Sequence, residues 1–146
     1  MIRTFKVVSI NTSEEKGTVK LPVPSIRFQI DHGVVGDAHA GPGKRQVSLL
    51  AEEDIESSRS RGLDLAYGSF AENITTKGVD LPALPIGTRL TIGKTLLEIS
   101  QIGKQCHSGC AIMEQTGDCI MPKRGVFAVV IKEGEIHAGD TGSYRL

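Results

Sequence analysis

Apolar and polar residues alternate along much of this chain, and that period predicts strands. KVVSI (Lys6 to Ile10) reads as the first strand, with NTSEEKG as the polar turn behind it. TVKLPV stays extended, but Pro22 and Pro24 cannot donate to a ladder and confine it to an edge or a loop. QVSLL (Gln46 to Leu50) is a short strand, and GSFAENITTKG is a turn leading into another. In GTRLTIGKTLLEISQI, Leu90 and Ile92 share one face, Gly93-Lys94 turns the chain, and Leu97 and Ile99 share a face on the return, which predicts a hairpin. GVFAVVIKEGEIHAGD predicts a second hairpin, turning at Glu133-Gly134. Its run from Val126 to Ile131 is apolar at every position, as in a strand buried on both faces.

Two segments break the period. AEEDIESSRSRG places Glu52, Glu53 and Asp54 in a first helical turn and Arg59 and Arg61 in a last one, matching the helix dipole, with Gly62 as the stop. Its apolar stripe is thin, so the helix belongs on the outside. SGCAIMEQTG reads as a short helix capped by Ser108 and stopped by Gly117. Asp31 to Arg45 is a glycine-rich loop with two histidines, and loops of this length inside compact domains usually serve function. Many short strands, glycine turns and few helices predict a mainly β fold: a closed or partly open barrel with short peripheral helices, in a single domain over residues 1–146.

Composition narrows the function. A chain of 146 residues can bury a proper core, and with aromatics at 4% and no tryptophan that core is Val, Ile and Leu. Formal net charge is zero and no basic stripe occurs, so nucleic-acid binding is not expected. The first residues lack the features of a signal peptide, and no stretch is long enough to cross a membrane. Three cysteines, an odd number, fit a reducing cytoplasm, where thiols are more often catalytic or metal-binding than structural.

GKQCHSGCAI concentrates the thiols. With Ser108 as the cap, Cys106 lies just before a helix start and Cys110 in its first turn, positions that favour a thiolate. Lys104 and His107 add positive charge. The plainer reading has Cys110 packed as a small apolar residue and Cys106 merely exposed. Cys106, His107, Cys110 and Cys119 could also form a metal set, although their spacing is not that of paired C-x-x-C zinc sites. In GVVGDAHAG, glycines let backbone N–H groups approach an anion, and His39, Lys44 and Arg45 could hold one. Asp37 could orient a histidine or simply bond its own loop. Asn73 could bind a ligand or serve as a turn residue.

GVVGDAHAG, RQVSLL, FAENITTKGVDL, IGTRLTIG, LLEISQIGKQC and GEIHAGD, in that order, resemble the MOSC family (molybdenum cofactor sulfurase C-terminal domain), in its small free-standing bacterial form. The resemblance runs from about Val7 to Asp140. It implies a barrel-like β fold and a molybdenum or tungsten pterin cofactor. It assigns to Cys106 the transfer of sulfur, as a persulfide, or ligation of the metal. It maps cofactor contacts to Gly36, Asp37, His39 and Arg45, and to the pair Glu72 and Asn73. Lys104 and His107 join this set as groups that keep Cys106 ionised, and Cys110 either resolves a persulfide or is inert. Expected partners are a cysteine desulfurase donor and a molybdoenzyme or cofactor-synthesis protein. Gln105 stands where many members have proline, and CHSGCAIMEQTGDCIMP differs from many relatives. No pyridoxal phosphate site is supported. The alternatives are a cofactor-insertion module without chemistry and a small zinc-binding protein.

Overall fold

The alternating segments become eleven strands in the computed structural model, which describes residues 1–14, 19–59, 66–103 and 124–145. These are β1 (Ile2–Thr12), β2 (Leu21–Val23), β3 (Ser25–Gln29), β4 (Gly33–Val34), β5 (Val47–Ala51), β6 (Ile74–Lys77), β7 (Arg89–Ile92), β8 (Thr95–Ile102), β9 (Val126–Lys132), β10 (Gly134–His137) and β11 (Thr141–Arg145). Helix α1 (Glu52–Arg59) follows β5, and a 3-10 turn spans Leu81–Ala83.

Seven strands run in the order β11-β7-β8-β9-β5-β6-β1, and β1 pairs back onto β11 to close a barrel. Closure leaves these strands without the open edges that invite aggregation. β1 is long enough to serve three neighbours. One edge carries β6, while the other carries β11 along Ile2–Lys6 and then β2 along Ile10–Thr12. Pro22 thus sits in an outermost strand, where the missing N–H costs no ladder bond. All barrel pairings are antiparallel except β5–β6. A parallel pair needs a crossover, and α1 lies within it, with Ile55 buried and Glu53 and Glu56 exposed.

The hairpin β7–β8 forms as the pattern predicts, with Leu90 opposite Leu97. The second hairpin does not. β9 pairs with β8 on one edge and β5 on the other, so no edge is free for β10. The chain turns at Glu133, whose carboxylate accepts the Ile30 N–H at 2.9 Å, and β10 pairs with β3 in a separate sheet, β10-β3-β4. Ile26, Phe28, Val34 and Ile136 of that sheet join the barrel's core. β9, apolar at successive positions, is the interior strand that its sequence implies.

Inside, Val7, Ile10, Leu49, Ile74, Leu90, Ile92, Leu97, Ile99 and Val126 are fully buried, an aliphatic core as the composition requires. Phe5 stacks at a tilt on Tyr144, ring centres 6.2 Å apart, and lies over Gly142, its partner across the β1–β11 ladder. No helix among the described residues is long and apolar enough to cross a membrane.

Candidate functional site

The glycine-rich loop meets the barrel at Asp37. Its carboxylate accepts the Lys20 ammonium at 2.7 Å through Oδ1 and 3.0 Å through Oδ2, and neither side chain is exposed. Oδ1 also accepts the Ser13 N–H at 3.0 Å, and Oδ2 accepts the His39 N–H at 3.2 Å. The Lys20 ammonium contacts Ser13 Oγ at 3.1 Å and His39 Nδ1 at 2.9 Å. One buried ion pair thereby joins the end of β1, the approach to β2 and the loop. Burial alone would raise the Asp37 carboxyl. The Lys20 hydrogen bond, the Ser13 N–H and the Lys20 charge outweigh it, with a further contribution from Asn73, and hold it below its ordinary value. Asp37 both bonds its own loop and takes a cation. It reaches His39 through the backbone.

The second element is the Glu72–Asn73 pair, also buried. Asn73 Oδ1 accepts the Ser48 N–H at 3.0 Å, and Asn73 Nδ2 donates to the Asn11 carbonyl at 3.2 Å, so one side chain ties β1, β5 and the start of β6 together. Asn11 in turn donates to the Glu72 carbonyl at 3.0 Å. The Glu72 carboxyl accepts the Gly68 N–H at 2.9 Å, the Phe70 N–H at 3.3 Å and the Thr75 hydroxyl at 2.7 Å. Burial raises this carboxyl above its ordinary value, and these hydrogen bonds oppose that only in part. Ala71, between the turn and this pair, has φ 63°, a conformation that costs a non-glycine residue energy and is held here by its neighbours.

Gly68 links the two elements. Its carbonyl accepts the Lys20 N–H at 2.8 Å, and its own N–H serves Glu72. It has φ 87°, and a Cβ there would overlap the Lys20 backbone carbonyl. Gly68→Ala should therefore cost about 3 kcal/mol, combining the left-handed penalty with overpacking. Urea unfolding checks this.

The two carboxyls titrate with opposite effects on stability. Asp37, lowered in the fold, adds stability above its unfolded value near 3.8 that is lost as pH falls through the lower folded value. Glu72, raised in the fold, adds stability below its unfolded value near 4.5 that is lost as pH rises towards the folded value. Glu72→Gln should therefore gain stability relative to the wild type as pH rises above that point. Urea midpoints across pH for both proteins test this, and a constant difference would contradict it.

Gly36, Asp37, His39 and Asn73 are thus gathered in one region. Gly36 has φ 86° and open space where a Cβ would lie. A cleft of about 500 Å³ opens beside it, lined by Ser13, Glu14 and Gly36 and by the apolar Val19, Leu21 and Val23. Arg45 is exposed just ahead of β5. Among the described residues, no hydrogen bond or ion pair ties it to Asp37. Lys104, Cys106, His107, Cys110, Cys119 and the short helix expected over 108–117 lie outside the described residues. The segment carrying them begins beyond β8, and its flanks are joined by Gly103 N–H to the Gly125 carbonyl at 2.7 Å. Among the described residues, no group of three or more His, Cys, Asp or Glu could hold a metal ion. Lys20 and Asn11 escaped the sequence reading: nothing around a lysine in TVKLPV separates it from a surface lysine.

A closed mixed barrel of seven strands, with a glycine-rich loop pinned by a buried ion pair, defines the structural class. The MOSC domain model matches residues 36–142, and the chain belongs to that family. No curated protein matches. Among solved structures, YUAD protein from Bacillus subtilis is similar with TM-score 0.83 and 19% identity, over 99% of this chain and 97% of that one. YiiM from Geobacillus stearothermophilus is similar with TM-score 0.75 and 22% identity, over 97% and 75%. YiiM from Escherichia coli gives TM-score 0.71 and 18% identity, over 99% and 70%. At these identities the likeness establishes the fold.

Proposed function

We propose that this chain binds a molybdenum or tungsten pterin cofactor and carries or transfers sulfur through Cys106 during cofactor maturation. The observation that carries the reading is the MOSC match over 36–142, which spans both the Asp37 loop and the Cys106 segment. The described residues fit the anionic end of such a group. Lys20 already balances Asp37, so the loop presents no net negative charge from that pair, and Gly36 leaves its backbone open to approach. Gly36, Asp37, His39, Arg45 and Asn73 form or support the binding end, with Lys104 and His107 assigned to it as the sequence neighbours of Cys106. The cofactor supplies a metal centre that receives sulfur.

At the thiol, the Cys106 thiolate attacks the terminal sulfur of a donor persulfide. A new S–S bond forms, the old one breaks, and the donor's thiolate leaves. A cysteine desulfurase is the donor of the right chemistry, and a molybdoenzyme or cofactor-synthesis protein is the recipient. Incubating the full chain with a cysteine desulfurase and cysteine, then mapping peptides by mass, should place the added sulfur on the Cys106 peptide. Sulfur found only on Cys110 or Cys119 would reject the assignment.

A further inference from the structure

Val19, Leu21 and Val23, spaced by two, line the cleft beside Gly36. β2 is the outermost strand of its sheet and pairs with β1, where Leu21 lies opposite Thr12. Lys20, between Val19 and Leu21, is buried in its pair with Asp37, so alternation turns the three apolar residues to the other side. Leu21 is 68% exposed. Adjacent apolar side chains on the wall of a concave cleft mark a binding site. Glu14, two residues beyond Thr12, is exposed and is the one charged side chain among the described residues of the lining. Among the described residues, no hydrogen bond or ion pair engages its carboxylate. A carboxylate accepts hydrogen bonds and donates none. A cleft of about 500 Å³ with that one charge repels a phosphate or a metal oxyanion from Glu14. It favours a flat, uncharged group with N–H donors along one edge.

We infer that this cleft seats the ring end of the pterin, with the ring face on the wall of Val19, Leu21 and Val23 and the ring edge paired to Glu14. A 2-amino-4-oxopyrimidine edge carries its amino group and its N3–H side by side. Two parallel donors meet the two oxygens of a carboxylate as a guanidinium does. The inference rests on the pterin reading above and names the part of the cofactor that this cleft takes. The anionic end of the cofactor then lies away from Glu14. Glu14 reads the edge, and the apolar wall supplies contact area that does not depend on which edge is presented.

The test uses free pterin and lumazine, which carries an oxygen in place of the 2-amino group. Each is titrated with the full chain, and binding is read from the ligand's own fluorescence anisotropy. The wild type should bind pterin at least about tenfold more tightly than lumazine, because the exchange sets an oxygen against the carboxylate. Glu14→Gln should erase that preference, and Leu21→Ser should weaken both ligands while keeping it. Both side chains are exposed, so neither change disturbs the core. Failure of the wild type to bind pterin, or equal affinity for the two ligands, would overturn the inference without reference to any variant. Unchanged pterin binding by Glu14→Gln would overturn it as well. Metal and pterin content of the purified chain and sulfur loading of Cys106 are read separately, by elemental analysis and by mass. Failure of this inference is therefore distinguishable from failure of the cofactor reading.

Discussion

Lys20→Met should lower the unfolding free energy by about 3–5 kcal/mol, since it leaves the Asp37 carboxylate buried without its cation. In a chain of this length that corresponds to a fall in Tm of roughly 10 °C. The loss comes from the stranded partner more than from the pair itself. The ammonium and carboxylate are both unexposed and meet at 2.7 Å, and removing one forces the other to protonate or to draw water into the site. The double variant Lys20→Met with Asp37→Leu should therefore recover much of what the single variant loses. Urea unfolding of the three proteins decides it. A single-variant loss below about 1 kcal/mol would mean the pair is open to solvent, and the account of the loop's anchor would fail.

Cys106→Ser should abolish sulfur uptake from a cysteine desulfurase while leaving the fold intact. A serine hydroxyl cannot hold a persulfide, and at neutral pH it is not ionised, so the expected effect is complete loss rather than a partial fall. The pinned loop is held by bonds that Asp37 makes with Lys20, Ser13 and His39, so anion binding should survive. This separates a sulfur carrier from a module that only delivers cofactor. Retained sulfur uptake by Cys106→Ser would exclude the carrier role for that residue.

The strands were legible because their apolar residues recur with period two, as Leu90 and Ile92 do against Leu97 and Ile99. Pairing was less so. GVFAVVIKEGEIHAGD has every local mark of a hairpin, and only the occupancy of both β9 edges by β5 and β8 sends β10 elsewhere. That is a non-local fact, invisible in the turn. The site shows the same division. Asp37 and His39 stand out within a glycine-rich loop. Lys20 is separated from Asp37 by 17 positions and becomes a buried cation only because β2 folds back along β1 and brings it there. Glu72 and Asn73 were legible as a pair, but the backbone groups they serve, in Ser48, Gly68 and Phe70, could be known only from the fold.

The central claim is that this barrel holds a molybdenum or tungsten pterin cofactor. The most direct measurement is metal and pterin analysis of the full chain purified anaerobically from cells supplied with molybdate and tungstate. The account predicts molybdenum or tungsten together with a pterin, in comparable amounts, released together on denaturation. Zinc bound at one equivalent with no pterin would contradict it.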